Sequence, residues 1–307
     1  MKKFIFLFLF IPITFFSIAQ SNIRLDNYWG NTQYINPATV YDKYQAVFSM
    51  AARNQWSGIK GAPVTYFVSG STYIDNLNMQ LGLIALQDKI GYTSLTNIDF
   101  TYAYALKLEQ DWQLHFGLGV NYQKLSYDIS QVTLSSYNDP SAYQGLLSTS
   151  NYNADFGFEV TNKSLKIGAA SQNLFSIMAK NHQYQTNTNF LYAKYRKYND
   201  DNINWGFGVC GIQYSNIYQA EFNVTSYFKI DQFSRFNDKS ILFDLGLFYR
   251  TESEIGAIIG FNISESIRLS YSYDYNFGSL SHGSMGTNEL IITYNLIKEP
   301  SCHNCWY

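Results

Sequence analysis

From Ile267 to Phe277 the chain alternates without a break. Ile267, Leu269, Tyr271, Tyr273, Tyr275 and Phe277 are separated by Arg268, Ser270, Ser272, Asp274 and Asn276. Successive side chains of a strand point to opposite faces, whereas a helix brings residues three and four apart together, so this period of two demands β-structure with one apolar and one polar face. Trp112–Gln123 repeats the pattern, with Trp112, Leu114, Phe116, Leu118, Val120 and Tyr122 opposed to Gln113, His115, Gly117, Gly119, Asn121 and Gln123. Ile98–Glu109 and Tyr152–Val160 follow suit. The same periodicity predicts fourteen strands, at 45–56, 62–73, 77–87, 95–109, 112–126, 150–161, 164–173, 188–198, 203–213, 217–230, 241–251, 254–262, 266–277 and 287–297. Most reach the ~9–11 residues that carry a tilted strand across a bilayer, and an even number is what single-chain outer-membrane barrels use.

A soluble two-sheet sandwich also alternates, but its outward face must be charged. Here charged residues make up only 14% of the chain and aromatics 18%, with 27 Tyr and 23 Phe. The expected fold is therefore all-β: a transmembrane antiparallel up-and-down β-barrel of about 14 strands over residues 45–297, its aromatic and aliphatic face turned to outer-membrane lipid. The other face would line the lumen and carries Arg53, Asp99, Lys107, Glu109, His115, Asp155, Glu159, Lys166, Glu221, Asp244, Arg250, Arg268, Asp274 and Glu289. Both signs are present, so mutual pairing is expected, with Arg53, Glu289, Asp274 and Arg268 as a lumen network. Bulky Phe67, Ile84, Leu86 and Phe248 fall on the same face and favour a filled barrel. Tight links at Tyr73–Asn76, Glu109–Trp112, Thr161–Ser164, Tyr198–Asn202 and Ser264–Glu265 alternate with long ones such as Lys124–Ser150 and Asn173–Thr188. That asymmetry places the tight turns in the periplasm and the long loops outside. Arg250–Ile255 is short for an outer loop, and Asp231–Ser240 is long for an inner turn.

Before the strands, Lys2 and Lys3 precede an apolar run from Phe4 to Ile18, and Ser17 and Ala19 hold the small-residue positions of a cleavage site. This predicts a secretory signal peptide over 1–19, cleaved after Ala19, rather than an N-terminal anchor, since the run is short and broken by Pro12. Residues 20–44 read as a periplasmic lead-in and 298–307 as a tail. No stretch of 18 apolar residues follows Gln20, so no helical span is expected.

The function classes narrow in the same way. A net charge of −2 lacks the basic excess of a nucleic-acid binder. The four histidines, His115, His182, His282 and His303, fall in no GxSxG, HExxH or P-loop context, and no Rossmann glycine pattern occurs. No catalytic, cofactor-binding or metal-ligating residue is assigned, and no enzymatic activity is expected. His115 is expected mid-strand as a satisfied polar residue, and Cys210 as an inert small one. Cys302 and Cys305 flank His303 in the tail. Three ligands fall short of a zinc site, and an oxidising compartment favours a disulfide or an exchangeable thiol pair.

Several ordered motifs carry a resemblance. Gln33-Tyr34-Ile35-Asn36-Pro37-Ala38 precedes the first strand. Arg53-Asn54-Gln55-Trp56, Gly61-Ala62-Pro63-Val64-Thr65, Leu81-Gly82-Leu83 and Gln87-Asp88-Lys89-Ile90-Gly91 follow. Tyr249-Arg250, Gly256-Ala257-Ile258-Ile259-Gly260-Phe261 and Tyr271-Ser272-Tyr273-Asp274-Tyr275 stand near the end. In this order the chain resembles the PorP/SprF family of type IX secretion outer-membrane proteins of the Bacteroidetes over nearly its whole mature length. It departs from the family pattern at Ala52, where Tyr is usual, and at Asn288-Glu289, where His-Glu is usual. The resemblance implies an outer-membrane barrel that serves type IX secretion and gliding. Its partners would be the secretion machinery and a large secreted adhesin with a C-terminal secretion signal. Asn36, Pro37, Arg53, Gln55, Trp56, Gly61, Ala62, Pro63, Asp88, Lys89 and Gly91 are the motif positions, setting chain shape or touching a partner. A porin or hydrophobic-solute channel is the alternative function.

Overall fold

In the computed structural model the residues described are 23–109, 111–128, 148–178, 186–197, 201–230, 240–251, 253–278 and 283–298. Fourteen strands close into one antiparallel barrel. They are β1 (Tyr44–Asn54), β2 (Val64–Ile74), β3 (Met79–Ile90), β4 (Thr93–Lys107), β5 (Gln113–Tyr127), β6 (Thr149–Thr161), β7 (Leu165–Gln172), β8 (Thr188–Arg196), β9 (Ile203–Tyr214), β10 (Ile217–Ile230), β11 (Ser240–Arg250), β12 (Glu254–Asn262), β13 (Ile267–Asn276) and β14 (Thr287–Ile297). Each strand pairs with its sequence neighbours, and β1 closes on β14 in the register Arg53↔Glu289. Closure leaves no unpaired edge, which is the condition for crossing hydrocarbon with strands.

The alternation fixes which side chain goes where. Along β4, Ile98, Phe100, Tyr102 and Tyr104 are exposed on the outside, while Asp99, Thr101, Ala103 and Ala105 are buried inside. Along β14, Leu290, Ile292 and Tyr294 face out and Glu289 and Ile291 face in. The outcome is an uninterrupted outer belt of aliphatic and aromatic side chains, far more exposed apolar surface than a soluble monomer presents. Among the described residues no helix is long and apolar enough to cross a membrane.

Two of the fourteen charged residues expected in the lumen lie elsewhere. Lys107 is the last residue of β4 and Glu109 follows it, and both are exposed where the strand leaves the wall. Lys107 is on the last rung of the ladder, paired with Gln113, and the alternation that reaches Glu109 continues past it, where it no longer reports a face. The signal segment 1–19, the tail residues Cys302 and Cys305, and the histidines other than His115 lie outside the described residues, as does the connection between β10 and β11.

The larger correction concerns residues 20–44. From Ile23 to Lys43 the chain does not lead in from outside; it runs through the lumen. Leu25, Asp26, Tyr28, Ile35, Asn36, Ala38 and Thr39 are at most 1% exposed. Two single 3₁₀ turns, Tyr28–Gly30 and Thr32–Tyr34, give this plug its only regular structure. The apolar lumen residues now have an explanation. Ala51, Phe67, Ile84, Leu86 and Ile291 form a seat for Leu25, with Ile23 and Tyr34 packed against it. On the far wall Phe190, Tyr192, Cys210, Ile212 and Tyr214 enclose Tyr28, Trp29 and Ile35.

Candidate functional site

The barrel has two unlike ends. One carries the connections after β1, β3, β5, β7, β9, β11 and β13; the other carries the remaining turns and the starts of β1 and the end of β14. The plug begins near the first end and reaches β1 at the second. At the first end it meets a buried charge network. The Arg250 guanidinium lies 2.6 Å from Glu221 Oε2, 3.0 Å from Asp26 Oδ1, 3.3 Å from Glu254 Oε2 and 3.7 Å from Asp274 Oδ2. Arg53 reaches Asp26 Oδ1 at 3.3 Å and Glu289 Oε2 at 3.9 Å, and donates to Gln55 Oε1 at 2.7 Å. Arg24 reaches Glu254 at 3.7 Å. Glu289 also accepts from the backbone N–H groups of Asp26 (2.7 Å) and Asn27 (2.9 Å), and Glu221 accepts from Trp29 Nε1 at 2.5 Å. Asp26 is the residue common to both guanidiniums. Burial pushes its carboxyl up, but Arg53 and Arg250 outweigh that and hold it at about 2.

Farther along, the plug is fixed by polar contacts to strand after strand. Asn31 Nδ2 donates to Ser69 Oγ (2.9 Å), Gln33 Nε2 to Thr101 Oγ1 (3.0 Å) and Gln172 Nε2 to Tyr34 O (2.8 Å). Asn36, Pro37 and Ala38 sit over Gly117 and Gly157, which are direct cross-strand partners on β5 and β6. A Cβ at either glycine would overlap this turn, so the wall is thinned where the plug touches it. Asn36 Nδ2 donates to Phe158 O at 3.1 Å and to Tyr192 OH at 3.0 Å, and Tyr192 OH donates to Glu159 Oε2 at 2.6 Å. Glu159 also meets His115 Nδ1 at 3.3 Å and Lys166 Nζ at 3.1 Å. His115 Nε2 lies 2.9 Å from Gln113 Oε1, so both ring nitrogens are engaged and the ring is sealed beneath the plug.

The motif residues therefore divide into two sets. Asn36 and Pro37 are buried inside the barrel, where the plug rests against Gly117 and Gly157. The others build the rim at the first end. Gln55 N–H bonds Pro63 O at 3.0 Å, Gly91 N–H bonds Gly61 O at 2.9 Å, and Ser57 N–H bonds Gly286 O at 2.8 Å. The β1–β2 loop thus clasps both the β3–β4 turn and the β13–β14 loop. Trp56 (φ 52°), Gly61 (φ 77°) and Gly91 (φ 56°) take left-handed backbone here, which suits the glycines and strains Trp56. Asp88 accepts from Thr65 Oγ1 at 2.6 Å, while Lys89 is exposed. Of the four residues expected as one network, Arg53, Glu289 and Asp274 come together. Arg268 does not: it sits at the opposite end of β13 and pairs with Asp244 at 2.6 Å. Sequence reasoning missed Arg24, Asp26 and Trp29, because a segment without alternation offers no face to assign.

Beyond the plug, toward the second end, lies a cavity of about 910 Å³ whose floor is Asn27, Trp29, Gly30 and Asn31. Among the described residues no group of three or more His, Cys, Asp or Glu side chains is arranged to hold a metal, and Cys210 is a free, buried thiol.

Known proteins place this arrangement. CymD, a monoaromatic hydrocarbon channel, superposes with a TM-score of 0.51 at 11% identity, over 87% of this chain and 92% of that one. The toluene transporter TbuX of Ralstonia pickettii gives a TM-score of 0.49 at 11% identity, over 87% and 93%. The toluene transporter TodX of Pseudomonas putida gives 0.46 at 10% identity, over 86% and 92%. At these identities the likeness is one of fold. No curated protein sequence matches the chain. The model of the type IX secretion system membrane protein PorP/SprF matches residues 17–294, nearly the whole chain, and the protein belongs to that family.

Proposed function

We propose that this barrel resides in the outer membrane, with its signal segment removed after Ala19, as an accessory of type IX secretion. In this role it works with the secretion machinery and holds one large adhesin, bearing a C-terminal secretion signal, at the cell surface for gliding or attachment. The observation that carries the proposal is the plugged lumen. Residues Ile23 to Lys43 occupy the interior and are pinned at both ends and along both walls, which suits a rigid platform better than a conduit. The clasped rim of Gln55, Trp56, Gly61, Ala62, Pro63, Asp88, Lys89 and Gly91 is then the surface offered to the adhesin. Cysteine at Ser136, between β5 and β6, should label on intact cells, and cysteine at Asn162, between β6 and β7, should not; the reverse pattern would invert the orientation.

Deleting the gene tests the role. One large surface protein should be lost while other type IX cargo is still secreted. Loss of all such cargo would assign the chain to the core machinery instead. Unchanged secretion with altered uptake of hydrophobic solutes would favour the channel function, to which the hydrocarbon-channel fold lends its shape alone.

A further inference from the structure

The cavity beneath the plug is bounded mostly by charge of one sign. Lys43, Lys163, Lys194, Arg196, Lys229 and Arg268 line it, and among the described residues only Asp244 and Glu265 oppose them. The cations stand on β8, β10 and β13, in the β6–β7 turn and just before β1, so they surround the space rather than coat one side of it. Glycines open the room they face. A Cβ at Gly260 on β12 would strike the Arg268 guanidinium and the Asp244 carboxylate, and one at Gly206 on β9 would meet the Tyr227 ring. Several of the charges are already engaged. Asp244 holds Arg268 at 2.6 Å, Arg196 lies over the Tyr227 ring at 4.1 Å, and exposed Lys163 meets Asp111 at 2.8 Å.

Lys194 is the cation that the wall answers least. Its Nζ donates to the Trp29 carbonyl oxygen at 3.0 Å; among the described residues that is its one hydrogen-bond partner, and no carboxylate pairs with it. The charges acting on it are the cations Lys166, Arg196 and Arg268, with Asp244 as the anion against them. Lys166 in turn is held by Glu159 at 3.1 Å. An ammonium carries three donors, and one neutral carbonyl satisfies one of them. A half-buried cation ringed by like charge favours an incoming anion, whose arrival offsets both the desolvation and the repulsion.

The room and its lining decide which anion. At about 910 Å³ the cavity matches pockets that take whole organic ligands, not a lone ion. The amides of Asn223 and Asn295 stand among the cations, with Val47, Ile258 and Ile291 beside them. Amide and apolar surface together suit a peptide, whose main chain needs hydrogen bonds and whose side chains need both kinds of contact. The ladder around the cavity is closed and the plug forms its floor, so the way in is from the second end, past exposed Lys43. We propose that this chamber receives an extended acidic peptide segment, rich in Asp or Glu, of a protein on that side. Placing that partner in the periplasm rests on the orientation proposed above; the binding does not.

The test uses the whole barrel in detergent at ~50 mM salt, where screening is weak. It is titrated into a fluorescein-labelled peptide of alternating Glu and Ser, followed by anisotropy. Binding should saturate below ~1 mM, and the same peptide with Gln for Glu should bind at least ~10-fold more weakly. Lys194→Met should weaken the Glu peptide at least ~10-fold, and Lys194→Arg should keep it. Lys60→Met, an exposed site at the other end, should leave it unchanged. Each variant must keep the unheated barrel mobility of the parent, so a folding failure is seen as such. No saturation by ~1 mM, equal binding of the Gln peptide, or an unchanged Kd in Lys194→Met each overturns the proposal. So does displacement by an equal concentration of inorganic phosphate, which would mark a small-anion site. So does binding seen only once residues 299–307 are removed, which would make the chain's own tail the occupant. None of these results bears on the secretion role, which gene deletion tests.

Discussion

Arg250 is the side chain on which the plug's attachment turns, and Cys210 reports on it. Replacing Arg250 with Met preserves length and bulk but removes the guanidinium from Asp26, Glu221, Glu254 and Asp274 at one stroke. With Arg250 1% exposed and Asp26 and Glu221 0% exposed, water cannot take its place while the plug is seated. Breaking a buried pair from one side costs roughly 3–5 kcal/mol, because the other charge stays behind uncompensated. Withdrawing the plug admits water and relieves that penalty, so the cost falls on the seated state alone. Burial of Leu25, Tyr28, Trp29 and Ile35, at ~1.5–3 kcal/mol each, keeps the seated state dominant. The variant therefore opens more often without standing open.

Cys210 lies beneath Tyr28 and Trp29 and is 0% exposed, so a thiol reagent reaches it only when the plug leaves. In a chain with Cys302 and Cys305 changed to Ser, the rate of Cys210 labelling measures opening. At ~1.4 kcal/mol per decade, Arg250→Met should raise that rate by about two to three and a half decades. Heat-modified gel mobility, read in parallel, separates plug release from loss of the barrel. Labelling no faster than the parent's, in a barrel that still migrates as folded, would falsify the claim that this network holds the plug.

Three further outcomes follow from the same geometry. Gly117→Val places a side chain where Pro37 and Ala38 lie, so it should cost ~1–3 kcal/mol of plug seating and speed Cys210 labelling by about one to two decades; an unaffected rate would mean that the plug does not rest there. The Asp26 carboxyl, held at about 2 against an ordinary 3.8, contributes seating free energy that is fully present above pH ~4 and drains away as pH falls from 3.8 through 2. The rate at which an acid-active pyridyl disulfide labels Cys210 should accordingly rise by up to about two decades between pH ~4 and pH ~2; an unchanged rate over that interval would contradict this assignment. At the closing seam, Arg53→Ala and Glu289→Ala should each lower the temperature of gel-mobility conversion, and the double variant should lose less than the sum, whereas strict additivity would show that the pair at 3.9 Å does not interact.

The barrel was legible because a membrane imposes a rule on every strand. Lipid outside and polar surroundings inside force a period of two, and fourteen segments showed it, with boundaries mostly within two residues of the observed strands. Where the rule lapses, legibility lapses with it. Lys107 is exposed at the last rung of β4 and Glu109 extends the alternation beyond it, so the pattern overstated the lumen. Arg268 was grouped with Arg53 on face alone. Face is periodic in sequence, but height along the barrel depends on shear and register, and these separate Arg268 from Arg53 by the length of a strand.

The plug had a different kind of signature, one that no local pattern could carry. Residues 23–43 lie within a ring of fourteen strands, so the complement to a plug residue lies up to 263 positions away, as with Asp26 and Glu289. The trace it leaves is on the strands: Phe67, Ile84, Leu86 and Phe248 point into a lumen that water alone would not reward with large apolar side chains. Paired glycines at Gly117 and Gly157 lack an inward side chain at adjacent positions, which only something lying against the wall requires. Apolar side chains and glycine dimples on a face that should be polar are the negative image of an interior segment. The N-terminal stretch rich in Asn and Tyr is the piece of this chain with the composition to fill it, because its amides reach the polar wall while its rings pack on the apolar one. A lumen-facing Leu25→Asp change in the plug should then behave like a core mutation in a soluble protein, and the same change at exposed Lys43 should not.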